Sequence, residues 1–373
     1  MVQKSIFLFD EYPGLEKKIP HISLINKKTA VQHLEALGNS LKVSQLWIKR
    51  DDQSTEIYGG NKPRKLEFTL ADAVTKQRAN ILTMGGTGSN HCLATAIFAQ
   101  QVNLKPVLIL FNQPITADVQ KKLLIFRSLD AEVLGPYGEV GGLFQYMVFK
   151  RLRRNTYFLP AGGSSPLGVL GFVNAAFELK SQIENGEMPK PRYLFVTCGT
   201  MGTMAGLLLG TKLADLDINI IGVRVVETFV ALYNGTFSYA NAVLKLAKKT
   251  LKYLQKRDSA VPNVKLGDSP TILHDFFGGG YGKVTPEGVE AIKLVKEYEN
   301  ILLDTTYTGK TFAALLHFIK EKDIKDEPLL FWNTYNSRDI LHLKKPDITY
   351  KDLPKSFHKI FENNAEFHIE DTI

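Results

Sequence analysis

The chain has 373 residues, of which 44% are hydrophobic and 23% are charged, and its formal net charge at pH 7 is +8. These proportions are ordinary for a globular protein, and the length suits two domains or one large domain with an insertion. No apolar run of about eighteen residues occurs, so the sequence predicts no membrane span. It contains only two cysteines, too few for disulfide bonds to stabilise so large a fold, which indicates a reducing compartment.

Neither the start of the chain nor its positive charge points to export or to nucleic acid. Acidic residues occur within the first twenty positions and no long apolar segment accompanies them, so we expect no secretory signal and a cytoplasmic protein. The lysines are dispersed except between Lys245 and Arg257, where leucines recur at helical spacing. This pattern is typical of an amphipathic helix with a solvated basic face. No zinc-finger or aromatic RNA-binding pattern accompanies it, so we expect no nucleic-acid partner.

Apolar runs and helical patterns alternate along almost the whole chain. We predict strands at 46–50, 80–84, 106–111, 131–134, 157–159, 193–197, 218–226 and 328–332. Apolar residues at helical spacing predict helices at 62–76, 91–101, 116–128, 141–153, 166–184, 228–256, 286–298 and 310–320. Such alternation requires crossover connections, which produce parallel sheets with helices on both faces.

The sequence therefore predicts an α/β protein with two parallel-sheet domains. We expect residues 1–65 and 175–342 to form a larger domain, and residues 66–174 to form a smaller domain inserted into it. Residues 343–373 are charged and less periodic, so we expect a C-terminal tail that packs weakly or mediates contacts.

The first candidate site is the stretch GGNKPRK at 59–65, which joins a strand and a polar loop to a helical pattern. Its two glycines permit close backbone approach, and Pro63 suits the first turn of a helix. A lysine buried at such a junction, here Lys62, can lose its proton near neutral pH and attack a carbonyl carbon to form a Schiff base. A solvated basic loop is the plainer alternative.

Ser89 and Asn90 form the second candidate, because they follow a glycine-rich turn that ends one strand and opens a helix. Ligands bind at the carboxyl ends of strands in open α/β sheets, although both residue types also cap helices for purely structural reasons. No histidine pair has metal-ligand spacing, so we expect no metal site. His91 and Cys92 are adjacent on a helix and point apart, which excludes a Cys–His catalytic pair.

The third candidate is the loop Gly199-Thr200-Met201-Gly202-Thr203, which follows a strand and opens a helix. Backbone N–H groups and the positive end of the helix would converge there, and a single phosphate group suits such a cup. The loop lacks the Gly-Lys-Ser/Thr ending of a nucleotide-binding P-loop. A tight turn that needs small residues is the structural alternative.

Taken together, these motifs resemble a known family. GGNKPRKLEF, GGTGSNH, LPAGGSSPLGVLGF, TCGTMGTMAG, GGGYG and DTTYTGKT occur in one order between residues 59 and 311. The set is similar to the pyridoxal-phosphate enzymes of the tryptophan-synthase-β fold, in the branch of 1-aminocyclopropane-1-carboxylate deaminases and D-cysteine desulfhydrases. The resemblance covers roughly residues 12 to 340, and it implies that pyridoxal 5′-phosphate binds between the two domains of a homodimeric enzyme.

The resemblance also implies a role for each matching residue. Lys62 would carry the cofactor as a Schiff base and, once released by a small amino-acid substrate, move protons at the substrate carbons. Asn90 would bond the phenolic oxygen of the ring, and Ser89 would bind the substrate carboxylate or assist proton transfer. The phosphate would be held by Gly199, Thr200, Met201, Gly202 and Thr203. Tyr281 and Tyr307 match the two active-site tyrosines of the family, although aromatic residues at such positions are commonly packing residues.

One position separates the two named activities. The deaminases carry a glutamate after the tyrosine of the DxxY motif, where it meets the pyridine nitrogen, whereas this chain has Thr308. A neutral hydroxyl gives a weaker electron sink, which suffices when a thiol leaves from the β-carbon. Thr334 and His91 also match the desulfhydrase pattern, with Thr334 beside the cofactor and His91 near the substrate. The sequence therefore favours β-elimination over opening of the cyclopropane.

Two departures leave the substrate open. Shortly after Ser-Asn-His the family shows Arg-Gln, whereas this chain has Cys92, Leu93 and Ala94. Near the last strand the family has His-Thr-Gly-Gly, whereas residues 333–336 of this chain are Asn-Thr-Tyr-Asn. Three hypotheses follow: a lyase acting on D-cysteine or a similar β-substituted amino acid, a related enzyme with another amino acid, and a cofactor-holding protein without turnover.

Overall fold

The computed structural model describes residues 6–267 and 269–362. The chain divides into two compact units. One contains the residues up to Phe68 together with Ser164–Arg338, and the other contains Thr69–Gly163 together with the residues from Asp339 onward. The domain boundaries expected from the sequence stay a prediction.

The strands of the described residues are β1 Val31–His33, β2 Leu46–Lys49, β3 Asn80–Gly86, β4 Lys105–Phe111, β5 Glu132–Tyr137, β6 Thr156–Phe158, β7 Tyr193–Cys198, β8 Asn219–Arg224, β9 Thr271–Leu273 and β10 Leu329–Trp332. The α-helices are α1 Phe7–Glu11, α2 Glu35–Leu41, α3 Lys62–Thr75, α4 Asn90–Gln101, α5 Ala117–Ser128, α6 Glu139–Leu152, α7 Pro166–Glu184, α8 Gly202–Leu213, α9 Tyr239–Gln255, α10 Pro286–Glu299, α11 Thr308–Lys322 and α12 Lys359–Glu362.

The larger unit is built on a sheet whose strands run in the order β1-β2-β10-β7-β8-β9. All described pairs in it are parallel except β1 with β2, which is antiparallel and which the sequence did not predict. The parallel pairing brings the carboxyl ends of β2, β10 and β7 to one edge of this sheet. The 333–336 loop and the glycine loop after β7 begin at that edge, and the turn at 59–62 is hydrogen-bonded there to the carbonyl groups of Asp51 and Thr334.

The smaller unit contains a parallel sheet with the order β5-β4-β3-β6. β3 continues through Gly85 and Gly86, which pair with Leu110 and Phe111, so the turn begins later than the sequence predicted. Gly85 must lack a side chain because a Cβ there would lie 2.5 Å from Ser89 Oγ. The start of α4 therefore sits directly over the end of β3.

The predicted elements are otherwise close to those observed. The helical region expected at 228–256 is divided into a 3₁₀ segment, Thr228–Asn234, and the α-helix α9, with a Gly235 of positive φ between them. The described part of the C-terminal segment buries Leu353, Phe357 and Ile360, so it packs firmly rather than weakly. Residues 363–373 of the expected tail lie outside the described residues.

Candidate active site

The lysine turn of the larger unit is residues 59–62, which end at the first residue of α3. Gly60 has a φ of +88°, and a Cβ on it would lie 2.7 Å from the carbonyl oxygen of Thr334. A Cβ on Gly59 would lie 1.8 Å from the carbonyl oxygen of Asp52, so that position also excludes any side chain. Only glycine lets this backbone pass between the loops that follow β2 and β10.

The amino group of Lys62 is held by its neighbour in sequence. Lys62 Nζ donates to Asn61 Oδ1 at 2.7 Å, and Asn61 Nδ2 donates to Thr203 Oγ1 at 3.0 Å. Burial lowers the pKa of Lys62 to about 8, against an opposing effect of the Asp304 carboxylate. Since only the neutral amine is a nucleophile, a useful fraction of Lys62 can react with a carbonyl group near neutral pH.

A buried ionic network anchors the turn from behind. The Arg64 guanidinium donates to both oxygens of Asp51, at 2.7 and 2.8 Å, and to Glu178 at 3.0 Å. Lys49 Nζ donates to Glu178 at 2.7 Å, and Trp332 Nε1 donates to Asp51 at 2.7 Å. All five side chains are essentially inaccessible to solvent. Removing one partner would leave an uncompensated buried charge, so the network fixes α3 and its lysine firmly.

The loop after β10 braces the lysine turn from the side. Asn336 Oδ1 accepts the Gly59 N–H at 2.6 Å, and the Thr334 carbonyl accepts the Asn61 N–H at 3.2 Å. The departure at Asn336 from the family's glycine therefore supplies a support for the turn. Asn333 is fully buried, its Oδ1 accepts the Tyr335 N–H, and its Nδ2 has no hydrogen-bond partner among the described residues.

The predicted phosphate loop follows β7 and opens α8. Met201 adopts φ 67° and ψ −21°, the left-handed region, so the chain turns sharply into the helix. Thr200 Oγ1 lies 2.8 Å from Ser164 Oγ, and Thr203 Oγ1 accepts from Asn61 as described above. A Cβ on Gly199 would come no nearer than 3.9 Å to another residue, which leaves room in the loop. The loop thus brings two threonine hydroxyls to the N-terminus of a helix, which suits a phosphate group.

Lys65 is a functional candidate that the sequence did not assign to this loop. Its Nζ lies 2.9 Å from the position that a Cβ on Gly202 would take. Burial and the positive charge of Lys62 lower the pKa of Lys65. A phosphate dianion beside it would favour the charged form and offset part of the burial cost. The signal in the sequence was its position three residues after Lys62, one turn along the same helix.

The two predicted tyrosines are in contact. Tyr281 Oη and Tyr307 Oη lie 2.5 Å apart, and burial followed by the effect of Tyr281 raises the pKa of Tyr307. Tyr281 is placed by its own N–H, which donates to Glu227 Oε1 at 2.8 Å. Lys310 Nζ donates to the Phe277 carbonyl at 2.7 Å and so secures the start of the glycine loop that carries Tyr281. The pair can therefore share and relay a proton between two fixed hydroxyls.

Thr308 opens α11 and is completely buried. Its Oγ1 donates to Asp304 Oδ1 at 2.7 Å and accepts the Asp304 N–H at 2.8 Å. Asp304 also accepts the N–H groups of Tyr307 and Thr308, at 3.1 and 2.8 Å. The single proton of the Thr308 hydroxyl is thus already donated to a carboxylate. The threonine presents a neutral oxygen whose proton is engaged elsewhere.

The residues of the larger unit fit pyridoxal 5′-phosphate. The cofactor needs a reactive amine, an anion cradle and donors for ring heteroatoms, and the unit has Lys62, the 199–203 loop with Lys65, and the buried Nδ2 of Asn333. A fully buried donor without a partner is costly unless a ligand satisfies it. Lys62, the phosphate loop, both tyrosines, Thr308 and Thr334 all belong to this unit.

Ser89, Asn90 and His91 belong to the smaller unit. Ser89 caps α4, because its Oγ accepts the Cys92 N–H at 3.3 Å. The His91 ring lies in the interior, with Nε2 2.8 Å from Thr83 Oγ1, and Cys92, Leu93 and Ala94 are fully buried. The substrate contact predicted for His91 stays a prediction. Asn90 Oδ1 accepts a hydrogen bond of 2.7 Å from Lys122, a contact that the sequence did not reveal.

Comparison with known proteins decides the family. The family described as "Pyridoxal-phosphate dependent enzyme" matches residues 22–334, which is most of the chain. The chain belongs to this family. The resemblance inferred from the motifs, the α/β fold class, the enzymatic nature of the chain and the use of pyridoxal phosphate are thereby confirmed.

The individual relatives carry one or the other of two enzyme names. A Pyrococcus abyssi protein provisionally named 1-aminocyclopropane-1-carboxylate deaminase is 30% identical over 337 residues, which cover 88% of this chain and 95% of that protein. The D-cysteine desulfhydrase of Klebsiella pneumoniae is 32% identical over 329 residues, covering 85% and 94%. A crystal structure described as an ACC deaminase homologue matches with a TM-score of 0.74 and 29% identity, covering 94% and 98%.

More distant structures share the fold alone. The processed form of threonine deaminase isoform 2 from Solanum lycopersicum matches with a TM-score of 0.61 at 16% identity, covering 96% of this chain and 94% of that one. Within residues 6–267 and 269–362, no helix is long and apolar enough to cross a membrane. The same residues contain no group of three His, Cys, Asp or Glu side chains that could hold a metal ion.

Proposed function

We propose that this pyridoxal-phosphate enzyme catalyses α,β-elimination of D-cysteine, with water, to pyruvate, ammonia and hydrogen sulfide. The observation that carries the proposal is Thr308, a neutral residue where the resembling deaminases have a carboxylate. Its side chain carries no negative charge that would hold a proton on the ring nitrogen, and its hydroxyl is fixed by Asp304 at 2.7 Å. Loss of a thiol from the β-carbon needs less stabilisation of the α-carbanion than opening of a cyclopropane, which has no leaving group.

Binding of the cofactor would use the first turn of α3 and the loop after β7. Lys62 would attach it through the ε-amino group, while the 199–203 loop, Thr203 Oγ1 and Lys65 would hold the phosphate. Asn90 would donate to the phenolic oxygen, and Thr334 and Asn333 would lie along the ring. Pyridoxal 5′-phosphate, when bound, supplies a conjugated, electron-withdrawing ring system that stabilises negative charge at the substrate α-carbon.

The side chains of this chain would then move the protons. Lys62 Nζ, once free, would accept the Cα proton of the substrate. The C–H electron pair forms the Cα=Cβ bond as the Cβ–S bond breaks and the thiolate leaves. The Tyr281–Tyr307 pair, with hydroxyl oxygens 2.5 Å apart, can donate a proton to the departing sulfur. Water hydrolyses the released enamine to pyruvate and ammonia. Ser89 would meet the substrate carboxylate at the N-terminus of α4.

A second candidate is opening of the 1-aminocyclopropane-1-carboxylate ring, because relatives of similar identity carry that name. The deciding measurement is turnover of a panel containing D-cysteine, L-cysteine and the cyclopropane amino acid. We expect pyruvate and sulfide from D-cysteine, much less from L-cysteine, and almost no keto acid from the cyclopropane. Equal rates on both cysteines, or faster ring opening, would contradict the proposal. If no amino acid is turned over, the hypothesis that remains is a cofactor-holding protein without turnover.

Two variants test the assignment of Thr308. Thr308→Glu places a carboxylate beside Asp304, and we expect elimination to fall by on the order of tenfold or more while ring opening rises. Tyr335, which stands where the resembling family has glycine, would limit ring opening in this variant as well, so the fall in elimination is the diagnostic change. Thr308→Val is the matched control, because it removes the hydroxyl without adding charge. If Thr308→Glu eliminates thiol faster than the wild type, Thr308 has been wrongly interpreted.

We propose further that the enzyme acts in the cytoplasm as a homodimer. Support for the compartment comes from Cys92 and Cys198, which are both buried free thiols. The dimer rests on the family resemblance. Sedimentation of the purified protein at micromolar concentration tests it, since a monomer would contradict it.

A further inference from the structure

The amide of Asn90 has two ends, and only one of them can serve the proposed cofactor contact. A phenolate oxygen is a hydrogen-bond acceptor, so Asn90 must present its NH₂ group to it and not its carbonyl oxygen. An asparagine amide turned over by 180° has nearly the same shape and the opposite polarity. Something in the protein must therefore fix which end faces the ligand.

Lys122 of α5 is placed to do this. Its Nζ donates to Asn90 Oδ1 at 2.7 Å, to the Gly88 carbonyl at 3.2 Å, and to the carboxylate of Asp118. An ammonium group has three hydrogens and can only donate. Its side chain is only 5% exposed, so these donors are directed into the protein rather than into water.

The geometry around Lys122 is held by local structure. The Gly88 N–H donates to Gln113 Oε1 at 3.0 Å, and a Cβ on Gly88 would lie 2.8 Å from the Val119 side chain. The turn before α4 is therefore pressed against α5. Asp118 is one helical turn before Lys122 and supplies the countercharge, so the burial of the ammonium is compensated.

We propose that Lys122 is a positioning residue that binds the Asn90 amide by its oxygen and so fixes Asn90 as a donor. This inference rests on the proposed contact of Asn90 with the phenolic oxygen. A flipped amide would turn its NH₂ group towards Lys122 and its carbonyl oxygen towards the ligand, where two acceptors would then face each other. The ammonium excludes that arrangement, because it cannot accept a hydrogen bond from the NH₂ group.

A double-mutant cycle on cofactor binding tests the proposal. The equilibrium dissociation constant of pyridoxal 5′-phosphate is measured by fluorescence on the apo-forms of the wild type, Lys122→Met, Asn90→Ala and the double variant. We expect each single variant to weaken binding by on the order of tenfold, as for one hydrogen bond to a charged group. We expect the double variant to be no weaker than Asn90→Ala, because Lys122 acts through Asn90.

Lys121→Met is the matched control. Lys121 is the adjacent lysine on α5 and lies 3.6 Å from the same Asp118, but its side chain is far more exposed than that of Lys122. We expect the Lys121→Met variant to bind pyridoxal 5′-phosphate with the same dissociation constant as the wild type. The pH midpoint of the visible absorption band supplies a spectroscopic readout, which should move in the same direction in Lys122→Met and Asn90→Ala and no further in the double variant.

The outcomes separate this inference from the proposed function. If Asn90→Ala leaves both the dissociation constant and the band unchanged, the proposed role of Asn90 fails. If Asn90→Ala has its effect but Lys122→Met has none, or if the two effects multiply, Lys122 is not a positioning residue. Should Lys122→Met fail to fold, Asp118→Asn loosens the same ammonium. It should give a smaller loss that disappears in the Asn90→Ala background, and a loss that persists there would overturn the proposal.

Discussion

The two helix-opening turns that carry the candidate side chains are supported in different ways. The lysine turn of the larger unit is braced by Glu178 and Asn336, which are distant in the chain, and by the nearer Asp51. The Ser89–Asn90 turn of the smaller unit is braced by Gln113 and Lys122, which follow it by a few tens of residues. One turn depends on contacts from across its unit, and the other depends on α5 and the loop that leads into it.

This difference corresponds to the role that we propose for each turn. Lys62 must stay partly desolvated to keep a reactive amine, and burial of ions around it makes its backbone hard to move. Asn90 needs only a defined orientation of one amide, and a single ammonium provides that. Rigidity is thus concentrated where a bond is to be made, and orientation alone is controlled where a hydrogen bond is to be donated.

The largest expected effect comes from removing the reactive amine itself. Lys62→Ala should lose covalently attached cofactor and the visible absorption band, and turnover should fall by on the order of a thousandfold or more. Lys65→Ala should keep the covalent attachment while binding the cofactor more weakly. Absorption spectra before and after gel filtration check both. A Lys65→Ala protein without the band, beside a Lys62→Ala protein that retains it, would transfer the attachment to Lys65.

Removing a carboxylate from the ionic network should unfold the larger unit more easily. Glu178→Gln leaves Lys49 and Arg64 with one buried anion fewer, and we expect a loss of about 3–5 kcal/mol in the free energy of unfolding. Urea denaturation measures it. Glu327→Gln, which removes the exposed partner of Arg192, is the control and should cost at most about 1 kcal/mol. Equal losses in the two variants would show that the network does not brace the turn.

The support from the loop after β10 should have an intermediate effect. Asn336→Leu leaves the Gly59 N–H without its acceptor, and we expect a loss of about 1–3 kcal/mol in stability together with weaker cofactor binding. Asn336→Asp keeps an oxygen at this position and should retain more of both. The prediction fails if Asn336→Leu binds cofactor as tightly as the wild type, as judged by fluorescence titration of the apo-protein.

The smallest effect concerns pH. Burial lowers the pKa of Lys62 to about 8, and the neutral amine increases as pH rises, so attachment of cofactor to apo-protein should accelerate with pH to a midpoint near 8. Asp304 raises this pKa, so Asp304→Asn should move the midpoint to lower pH. Stopped-flow absorbance at a series of pH values measures it. A midpoint near the ordinary lysine value would show that Lys62 is not desolvated.

The sequence by itself determined the alternation of strands and helices and the identity of the family. Apolar periodicity located α3, α7 and β7 to within a residue or two, because burial of one face leaves a local and repeated mark on the chain. The cofactor family was inferred from the resemblance of the glycine loops and Lys62, in their order along the chain, to the motifs of a known family. These features depend on neighbouring residues, so they are readable without the fold.

Only the tertiary structure decided which polar side chains meet. Nothing in the spacing of Arg64, Asp51 and Glu178 shows that they form one buried network, because Glu178 reaches Arg64 only through packing across 114 residues of the chain. The sequence likewise does not distinguish Lys122 from the other lysines, and only the packing of α5 shows that it binds the oxygen of Asn90. The short strand β1 likewise lacked an apolar pattern and formed only because β2 offered a free edge. Long-range hydrogen bonds leave no periodic mark in a sequence, and they are what orient the candidate side chains.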